Sequence, residues 1–302
     1  MTALRLGARG SALSLAQAEL VTRALAGRAE VELVTVRTTG DRLSAAGSPI
    51  EWKGDFTREL DAALLENRID FAVHSLKDVP SATPAGLVLA AVPPREDPSD
   101  VLVSRPRVPF RDLPRGARLG TSSPRRRAQA LAARPDLAVA DARGNVDTRL
   151  KRLEEGRWDA LVLARAGLAR LGRLAEVCDV FAADVLLPAA GQGALALFAR
   201  EDDRATRAVL AAIDHAPSHA EARAERALLA GLEAGCHAPV AALARAADDA
   251  LVLTAAVFSA CGERAVRETV AGASAEAEAL GRRAADLLLA RGASALLGGG
   301  AA

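Results

Sequence analysis

The sequence is poor in aromatic residues and in lysine. Among its 302 residues there are no tyrosines, two tryptophans and six phenylalanines, and only three of the 39 basic residues are lysines. The formal net charge is +1, so the chain as a whole is not strongly attracted to nucleic acid or to acidic membranes. Because base-stacking surfaces need aromatic side chains, their scarcity also argues against nucleic-acid binding. We therefore expect neither a nucleic acid nor a membrane as partner.

Cysteine is scarce as well, and long apolar runs are missing. Cys178, Cys236 and Cys261 lie far apart and form no CxxC pair, which argues against a disulfide framework or a zinc knuckle. No stretch approaches the roughly 18 apolar residues that span a bilayer. The N-terminal segment also lacks the continuous apolar core of a signal peptide. We expect a cytoplasmic protein without a bound metal.

Strand-like and helix-like patterns alternate along most of the chain. Apolar runs at residues 4–8 and 31–38 flank a segment of helical spacing, which indicates a mostly parallel sheet. A second set of the same kind covers residues 118–164. Breaks rich in proline or glycine, at residues 92–98 and 187–194, separate the two sets. The pattern predicts two α/β lobes similar to two-lobed anion-binding modules, with the ligand in the cleft between them.

These breaks predict three domains in a chain too long for one ordinary core. Residues 1–93 together with 194–213 would form the first lobe, and residues 99–190 the second. Two helices and three strands predict a smaller domain over residues 216–302. The expected fold class is α/β, with two periplasmic-binding-protein-like lobes and a C-terminal α+β domain.

Polar side chains predict the starts of two helices in the first lobe. Their oxygen atoms can accept hydrogen bonds from the free N–H groups of a first helical turn. Ser11 or Ser14 would cap the helix after the first strand, and Asp55 would cap a helix that begins at Phe56.

The segment 70–80, DFAVHSLKDVP, predicts a functional loop. A short apolar strand leads into a polar loop that holds His74, Ser75, Lys77 and Asp78. In α/β folds, ligands bind at the carboxyl ends of strands. Because lysine is so rare in this chain, the adjacent Lys77 and Asp78 favour a functional rather than an incidental pair of charges. An ordinary solvated ion pair would give the same pattern.

Arginines gather where predicted strands end and helices begin. The segment 121–127, TSSPRRR, follows a strand and opens a helix, so free N–H groups, hydroxyls and guanidinium groups could converge there on an anion. Similar corners occur at 7–11, 143–149 and, more weakly, 166–170. Four such arginine-bearing turns between strand and helix, spread over two lobes, favour a ligand with several carboxylates or phosphates. Each corner alone also fits a solvated basic helix start, and a high-GC coding bias would raise the arginine content.

The loop at residues 232–239, LEAGCHAP, predicts an accessible thiol. Gly235 removes bulk beside Cys236, and a nearby positive field would favour the nucleophilic thiolate. His237 is adjacent in sequence, which does not by itself build a Cys–His pair. The alternative for Cys236 is a packed, inert thiol.

Eight segments together resemble the porphobilinogen deaminase family. They lie in the family's order between residues 6 and 240: LGARGSALSLAQAE, KGDFTRELDAALLENRIDFAVHSLKDVP, REDPSDVLVS, LGTSSPRRRAQ, ARGNVDTRL, AGLARLG, LPAAGQGAL and ERALLAGLEAGCHAPV. Two small departures are Ala234, where a second glycine often precedes the cysteine, and Gly10, where a larger residue is common. Neither departure removes a charged or nucleophilic group.

The resemblance implies a three-domain transferase, a hydroxymethylbilane synthase, that acts in tetrapyrrole and haem biosynthesis. Such an enzyme joins four porphobilinogen molecules head to tail with loss of ammonia and then releases linear hydroxymethylbilane by hydrolysis. The family carries one dipyrromethane cofactor per chain, made from porphobilinogen and attached through a thioether. The matching cysteine is Cys236. The resemblance also implies a monomer.

The family's functional residues match positions in both predicted lobes. Asp78 would be catalytic, because a carboxylate can stabilise the cation that loss of ammonia leaves and can move protons. Phe56 would pack over the reacting rings, and Lys53 lies in the stretch before it. The dipyrromethane would be bound by Cys236, Lys77, Thr121, Ser123, Arg125, Arg126, Arg143 and Gly193, and porphobilinogen by Arg9, Ser11, Phe56, Arg149, Arg170 and Gln192.

Two other classes of protein also fit parts of the pattern. A two-lobed anion-binding or sensing protein would bind its ligand reversibly, release no ammonia and leave Cys236 unmodified. A nucleic-acid-binding protein would use the arginines, but the near-neutral charge and low aromatic content argue against it.

Overall fold

The computed structural model describes residues 3–46, 53–234 and 238–297. Within these ranges, thirteen strands form two five-stranded sheets and one three-stranded sheet. The strands are β1 (Ala3–Arg9), β2 (Glu30–Val36), β3 (Phe71–Ser75), β4 (Leu87–Ala91), β5 (Asp100–Ser104), β6 (Arg118–Gly120), β7 (Ala138–Ala140), β8 (Ala160–Ala164), β9 (Asp179–Val180), β10 (Leu195–Arg200), β11 (Val240–Ala247), β12 (Ala250–Phe258) and β13 (Ala265–Ala273).

Helices cover the sheets and connect their strands. The α-helices are α1 (Ala12–Ala24), α2 (Thr39–Ala46), α3 (Arg58–Leu65), α4 (Pro124–Ala133), α5 (Val146–Glu154), α6 (Arg165–Arg170), α7 (Arg204–Ala211), α8 (Ala216–Gly231), α9 (Ala277–Ala290) and α10 (Ser294–Leu297). Short 3-10 helices occur at Lys53–Phe56, Leu76–Asp78, Phe110–Asp112, Leu174–Glu176 and Ser274–Glu276. None of the helices described has the length and apolar character needed to cross a membrane.

The first sheet has the strand order β2-β1-β3-β10-β4. β1 pairs in parallel with β2 and β3, whereas β10 runs antiparallel between β3 and β4. Leu6 of β1 and Phe71 of β3 are fully buried, as expected for strands covered on both faces. Because β1 and β3 are parallel neighbours, their last residues, Arg9 and Ser75, lie at the same edge of the sheet.

The second sheet repeats this arrangement with the order β7-β6-β8-β5-β9. β6 pairs in parallel with β7 and β8, and β5 runs antiparallel between β8 and β9. The antiparallel strands β5 and β10 occupy equivalent positions in the two sheets, and each is the first strand after the chain crosses between them. The predicted pair of α/β lobes is confirmed.

Two crossovers, residues 92–98 and residues 187–194, connect the lobes and contact each other. The Glu96 amide donates to the Gly193 carbonyl at 3.3 Å, and Arg95 Nε donates to the Gln192 carbonyl at 2.9 Å. Gly193 has a φ of +88°, and a Cβ at this position would lie 2.2 Å from the carbonyl oxygen of Glu96. Glycine is therefore required where the crossovers meet.

The third sheet is antiparallel, with the order β11-β12-β13, and carries α8 and α9. Leu228 of α8, Leu253 of β12 and Leu288 of α9 are fully buried in one apolar core. This arrangement confirms the predicted smaller α+β domain at the C-terminal end.

Two predicted helix caps have different outcomes. Ser11 caps α1, since its Oγ accepts from the amide of Ser14 at 3.3 Å. The prediction that Asp55 caps the next helix is wrong. A 3-10 turn comes first, α3 begins after Thr57, and Asp55 pairs with Arg58 at 3.3 Å.

Candidate active site

Asp78 lies at the carboxyl edge of the first sheet. The expected loop is shorter than the sequence suggested, because β3 continues through His74 and Ser75 and a single 3-10 turn carries Lys77 and Asp78. Arg9 ends the neighbouring parallel strand and reaches the same edge. A polar group at this edge is well placed for a ligand, as in other α/β folds.

A cavity of about 50 Å³ lies at this edge. It is lined by the predicted residues Arg9, Ser11, Phe56 and Asp78 and by Leu13, Ser14, Gln17, Thr57, Val73, His74 and Ser75. His74 is buried, and its Nε2 has no hydrogen-bond partner among the described residues. Burial, together with the positive charge of Arg9, lowers the pKa of His74 to about 4, so the imidazole is neutral at neutral pH.

Arg9 is held from two directions. Its Nε and Nη2 donate to Asp41 Oδ1, at 3.0 Å and 2.5 Å. Its Cζ lies 4.0 Å from the centre of the Phe56 ring, which is a cation–π distance. Two residues that the sequence assigned to substrate binding are therefore in direct contact, and Asp41, which it did not assign, fixes one of them.

Arg125 and Arg126 point into the protein and share one carboxylate. Arg125 Nη1 donates to Asp100 Oδ2 at 2.7 Å, and Arg126 donates to Asp100 Oδ1 from Nε at 2.9 Å and from Nη2 at 2.7 Å. Asp100 is fully buried and the two arginines nearly so. Burial alone would raise the pKa of Asp100, but the charges of Arg125 and Arg126 outweigh it and lower the pKa well below its usual range.

Gln192 connects this pair to the first lobe. Its Nε2 donates to Asp100 Oδ1 at 2.9 Å and to the Pro98 carbonyl at 2.6 Å. Its Oε1 accepts from Lys77 Nζ at 3.4 Å and from Arg126 Nη2 at 3.5 Å. The side-chain amide of Gln192 thus lies between Lys77 of the first lobe and the ion pairs that Asp100 forms in the second lobe.

Three of the predicted cations are partly buried. These residues, Lys77, Arg149 and Arg170, form no ion pair with a carboxylate within the described part of the chain. Burial lowers the pKa of Lys77 to about 8 and the pKa values of Arg149 and Arg170 to about 10. Because burial disfavours a cation that has no ion-pair partner, this set of donors fits a ligand that brings several carboxylates, such as a dipyrromethane.

Arg149 of the second lobe is influenced by the charge of Asp78 in the first. Arg149 belongs to α5 of the second lobe, and its Nε donates to the Gly144 carbonyl at 2.7 Å. Burial is the largest influence on its pKa, followed by the repulsive charge of Arg126 and the attractive charge of Asp78. Asp78 exerts the same attraction on Lys77. The negative charge of Asp78 therefore favours the charged forms of both Lys77 and Arg149.

The other predicted residues of the second lobe support its helix starts. Ser123 caps α4, its Oγ accepting from the Arg126 amide at 3.4 Å, and buried Thr121 accepts from the Ser123 amide at 3.2 Å. Arg143 is also partly exposed but, unlike Arg149, it pairs with a carboxylate, that of exposed Asp141, at 3.2 Å.

Cys236, the predicted cofactor attachment residue, lies outside the described residues. The helix that precedes it, α8, is firmly joined to both crossovers. Glu225 of α8 pairs with Arg95 of the first crossover at 2.8 Å and accepts from the Gly191 amide of the second at 2.5 Å. The same carboxylate accepts from the Ala244 amide of β11 at 2.7 Å. The third domain is thus anchored beside Gln192.

Sequence reasoning missed two carboxylates that this site depends on. Asp100 lies within the segment REDPSDVLVS and Asp41 lies in a polar helix, α2, that the apolar spacing did not reveal. Their partners are distant in sequence, 25 and 26 residues from Asp100 and 32 residues from Asp41. The only signal was the abundance of arginine itself, since a buried guanidinium needs a carboxylate partner.

Comparison with known proteins places this geometry in one family. A family model described as "Porphobilinogen deaminase, dipyromethane cofactor binding domain" matches residues 4–208, and one described as "Porphobilinogen deaminase, C-terminal domain" matches residues 219–290. The first description agrees with the cofactor predicted from the sequence.

Full-length relatives carry the same name. A porphobilinogen deaminase of Desulforudis audaxviator is 50% identical over 295 residues, which cover 96% of each chain. A porphobilinogen deaminase of Syntrophotalea carbinolica is 45% identical over 300 residues, covering 98% of this chain and 95% of the relative. One of Moorella thermoacetica is 46% identical over 301 residues, covering 98% and 96%.

Solved structures with a similar chain trace are more distant. The periplasmic VFT2 domain of BvgS from Bordetella pertussis has 18% identity and a TM-score of 0.41, over 70% of this chain and 86% of that one. The aliphatic sulphonate binding protein SsuA from Escherichia coli has 16% identity and a TM-score of 0.40, over 77% and 71%. The family assignment depends on the sequence relatives, whose identity extends over almost the whole chain. The chain belongs to the porphobilinogen deaminase family.

Proposed function

We propose that this chain is a hydroxymethylbilane synthase in which Asp78 is the catalytic carboxylate. The enzyme joins four porphobilinogen molecules head to tail, releases ammonia at each addition and finally releases hydroxymethylbilane by hydrolysis. The observation that carries this proposal is the position of Asp78, which lines the same cavity as Arg9 and whose charge acts on Lys77 and Arg149.

The partly buried cations would bind the acid side chains of the pyrroles. Each porphobilinogen unit carries an acetate and a propionate, so a growing chain brings two carboxylates with every ring. Lys77, Arg149 and Arg170 have no carboxylate of their own among the described residues, and Arg9 keeps donors that Asp41 does not use. Charge-assisted hydrogen bonds from these groups would offset the cost of burying the ligand's carboxylates.

Asp78 would act on the charge that appears when ammonia leaves the substrate. Breaking the carbon–nitrogen bond of the aminomethyl group leaves an electron-poor methylene carbon conjugated to the pyrrole nitrogen. A carboxylate close to that nitrogen stabilises the positive charge and can accept and return a proton.

The dipyrromethane would be attached to Cys236 and held from the second lobe. When bound, it supplies the free pyrrole position to which incoming units are added. Thr121, Ser123 and the α4 start would receive its acid groups together with Lys77 and Arg143. Arg125 and Arg126 would contribute less to direct binding than the sequence suggested, because several of their donors already bind Asp100.

The domain arrangement of the proposed enzyme follows the three sheets. Residues 1–93 with 194–213 would carry Asp78, residues 99–190 would carry the arginine-rich surface, and residues 216–302 would carry Cys236. Gln192 and Gly193 would act from the second crossover, where they hold the lobes together. The monomeric state and the cytoplasmic location stay predictions.

A direct assay tests the proposed function. Purified protein incubated with porphobilinogen should release ammonia and form hydroxymethylbilane, in a ratio of about four ammonia molecules per product molecule. The rival two-lobed binding protein would bind porphobilinogen reversibly without releasing ammonia, and that result would refute the proposal.

A further inference from the structure

The contact between Arg9 and Asp41 leaves one edge of the guanidinium open. Asp41 Oδ1 accepts one hydrogen bond from Nε and one from Nη2, so it occupies the side edge of the group. A guanidinium has five N–H donors, one on Nε and two on each terminal nitrogen. Three donors are left by this contact, two on Nη1 and one on Nη2, and one from each of these nitrogens lies on the outer edge. That edge matches a carboxylate that binds through both oxygens.

Phe56 fixes the plane of the Arg9 guanidinium, in addition to the orientation that Asp41 gives it. Phe56 packs against the Arg9 guanidinium at 4.0 Å. The Phe56 ring is itself held by Gly40 of α2, since a Cβ at Gly40 would lie 2.4 Å from a ring carbon. One short helix thus supplies both the carboxylate that orients Arg9 and the backbone that supports the ring against it.

Asp41 is in turn fixed by its neighbour in the chain. Its Oδ2 accepts from Thr38 Oγ1 at 2.8 Å, and Thr38 is fully buried. Burial alone would raise the pKa of Asp41, but the hydrogen bond and charge of Arg9 outweigh it and lower the pKa below its ordinary value. Asp41 therefore stays ionised at neutral pH and can hold Arg9 by charge as well as by geometry.

We propose that Asp41 is a positioning residue that orients Arg9 so that the outer edge of its guanidinium binds an acetate or propionate of porphobilinogen. This inference rests on the proposed function, because it takes porphobilinogen as the ligand of Arg9. A freely rotating arginine would lose conformational entropy when it binds the ligand. Arg9 has already lost that entropy on folding, so its orientation by Asp41 should strengthen substrate binding.

Two other roles for Asp41 make different predictions. If the Asp41 carboxylate competed with the substrate for Arg9, removing its charge would strengthen substrate binding. If Asp41 only anchored α2 to the lobe, any other anchor of the same helix would be equally important. Glu59 of α3 is such an anchor, since its Oε1 accepts from the Thr39 amide at 2.9 Å without touching Arg9.

The test measures steady-state kinetics of the holoenzyme with porphobilinogen as substrate. Asp41→Asn should raise KM about tenfold and change kcat less than about twofold, because charge-assisted bonds that position a binding group are lost while Asp78 is untouched. Asp41→Glu keeps the charge, so its KM should lie between those of the wild type and Asp41→Asn. In an Arg9→Lys background, Asp41→Asn should have almost no further effect, because the group that it positions is gone.

Glu59→Gln is the matched control and should leave KM near that of the wild type. An Asp41→Asn enzyme with an unchanged or lower KM, or a Glu59→Gln enzyme with the same rise in KM, would overturn the inference. So would additive effects in the Arg9→Lys background. Failure of the wild type to release ammonia would instead refute the proposed function. If Asp41→Asn does not fold, the test uses Asp41→Glu instead. Its effect on KM is then compared in the wild type and in the Arg9→Lys background.

Discussion

Arg126 and Asp100 form a buried ion pair in the second lobe, with Arg126 Nε and Nη2 at 2.9 Å and 2.7 Å from Asp100 Oδ1. Arg125 binds the other oxygen of the same carboxylate at 2.7 Å. Two guanidinium groups thus share one carboxylate, which leaves the cluster with an excess of one positive charge. Lys77 lies next to this excess, which contributes to its lowered pKa. The pair is therefore part of the electrostatics of the site as well as of its stability.

Replacing Asp100 should destabilise the protein strongly. Asp100→Asn leaves two buried guanidinium groups without a counter-charge, and we expect the free energy of unfolding to fall by roughly 3–5 kcal/mol. The folded-state pKa of Asp100 is lowered from 3.8, so the stability from this pair is present above about pH 4 and is lost as the pH falls further. Urea unfolding at pH 7 measures the effect. A variant as stable as the wild type would contradict the inferred importance of the pair.

Replacing Asp78 should remove turnover and preserve the fold. Asp78→Asn keeps the size of the side chain but cannot carry a negative charge or accept a proton at neutral pH. We expect kcat to fall by about 100-fold or more, the usual contribution of a positioned acid–base group. Ammonia release measures the rate, and circular dichroism and intact mass check the fold and the cofactor. Turnover near that of the wild type would exclude the catalytic role.

The thiol of Cys236 should carry the dipyrromethane. Intact-mass measurement of active protein should show one dipyrromethane adduct, and the Cys236→Ala variant should lack both adduct and activity. Exposed Cys261 offers a matched control, so Cys261→Ala should keep the adduct and the activity. A wild-type enzyme that is fully active at the mass of the bare polypeptide would refute this assignment.

Arg149 should bind substrate rather than stabilise the fold. Arg149→Gln removes a partly buried cation that forms no ion pair within the described ranges, so KM for porphobilinogen should rise at least about tenfold while the unfolding temperature stays near that of the wild type. Lys151→Gln removes an exposed charge from the same helix and should leave KM unchanged. Equal effects of the two variants would show that Arg149 acts only through the general charge of α5.

His74 should make the protein less stable in mild acid. Its pKa falls from 6.5 to about 4 on folding, so the folded state loses stability as the pH drops from about 6.5 towards 4. His74→Gln has no such group, and between pH 7 and pH 5 its free energy of unfolding should fall by about 2 kcal/mol less than that of the wild type. Urea unfolding at the two pH values measures this difference.

The comparison between the two proteins isolates His74 from other titrating groups. Burial raises the pKa of Asp61 to about 6, which stabilises the folded state as the pH falls over the same range. This contribution is common to the wild type and to His74→Gln, so it cancels in the difference. Identical pH dependence of the two proteins would show that His74 is not held neutral by the fold.

The fold followed from the sequence wherever apolar spacing and capping were clear. Alternating strand and helix patterns predicted both lobes, and Ser11 marked the start of α1. The approach failed where the local pattern was polar or short. Helix α2 has few apolar residues, and the start of α3 was misplaced because Thr57, rather than Asp55, precedes its first turn.

The sequence predicted candidate site residues but not the contacts between them. Family resemblance proposed roles for Asp78, Lys77 and the arginines, because these residues lie in recognisable segments, and those roles stay predictions. It could not show that several N–H donors of Arg125 and Arg126 bind Asp100, because that contact joins different elements of the folded chain. Which guanidinium edge is open to a ligand is a tertiary property, and residue spacing alone does not contain it.

The carboxylate of Glu225 touches three separate stretches of the chain: Arg95 in one crossover, Gly191 in the other, and Ala244 in the third sheet. A tilt of one lobe against the other would therefore have to carry α8 with it or break a fully buried charge contact. As the oligopyrrole lengthens, the third domain and both crossovers should therefore move as one unit. The domain proposed to carry the primer and the cleft that receives each new ring would then change position together.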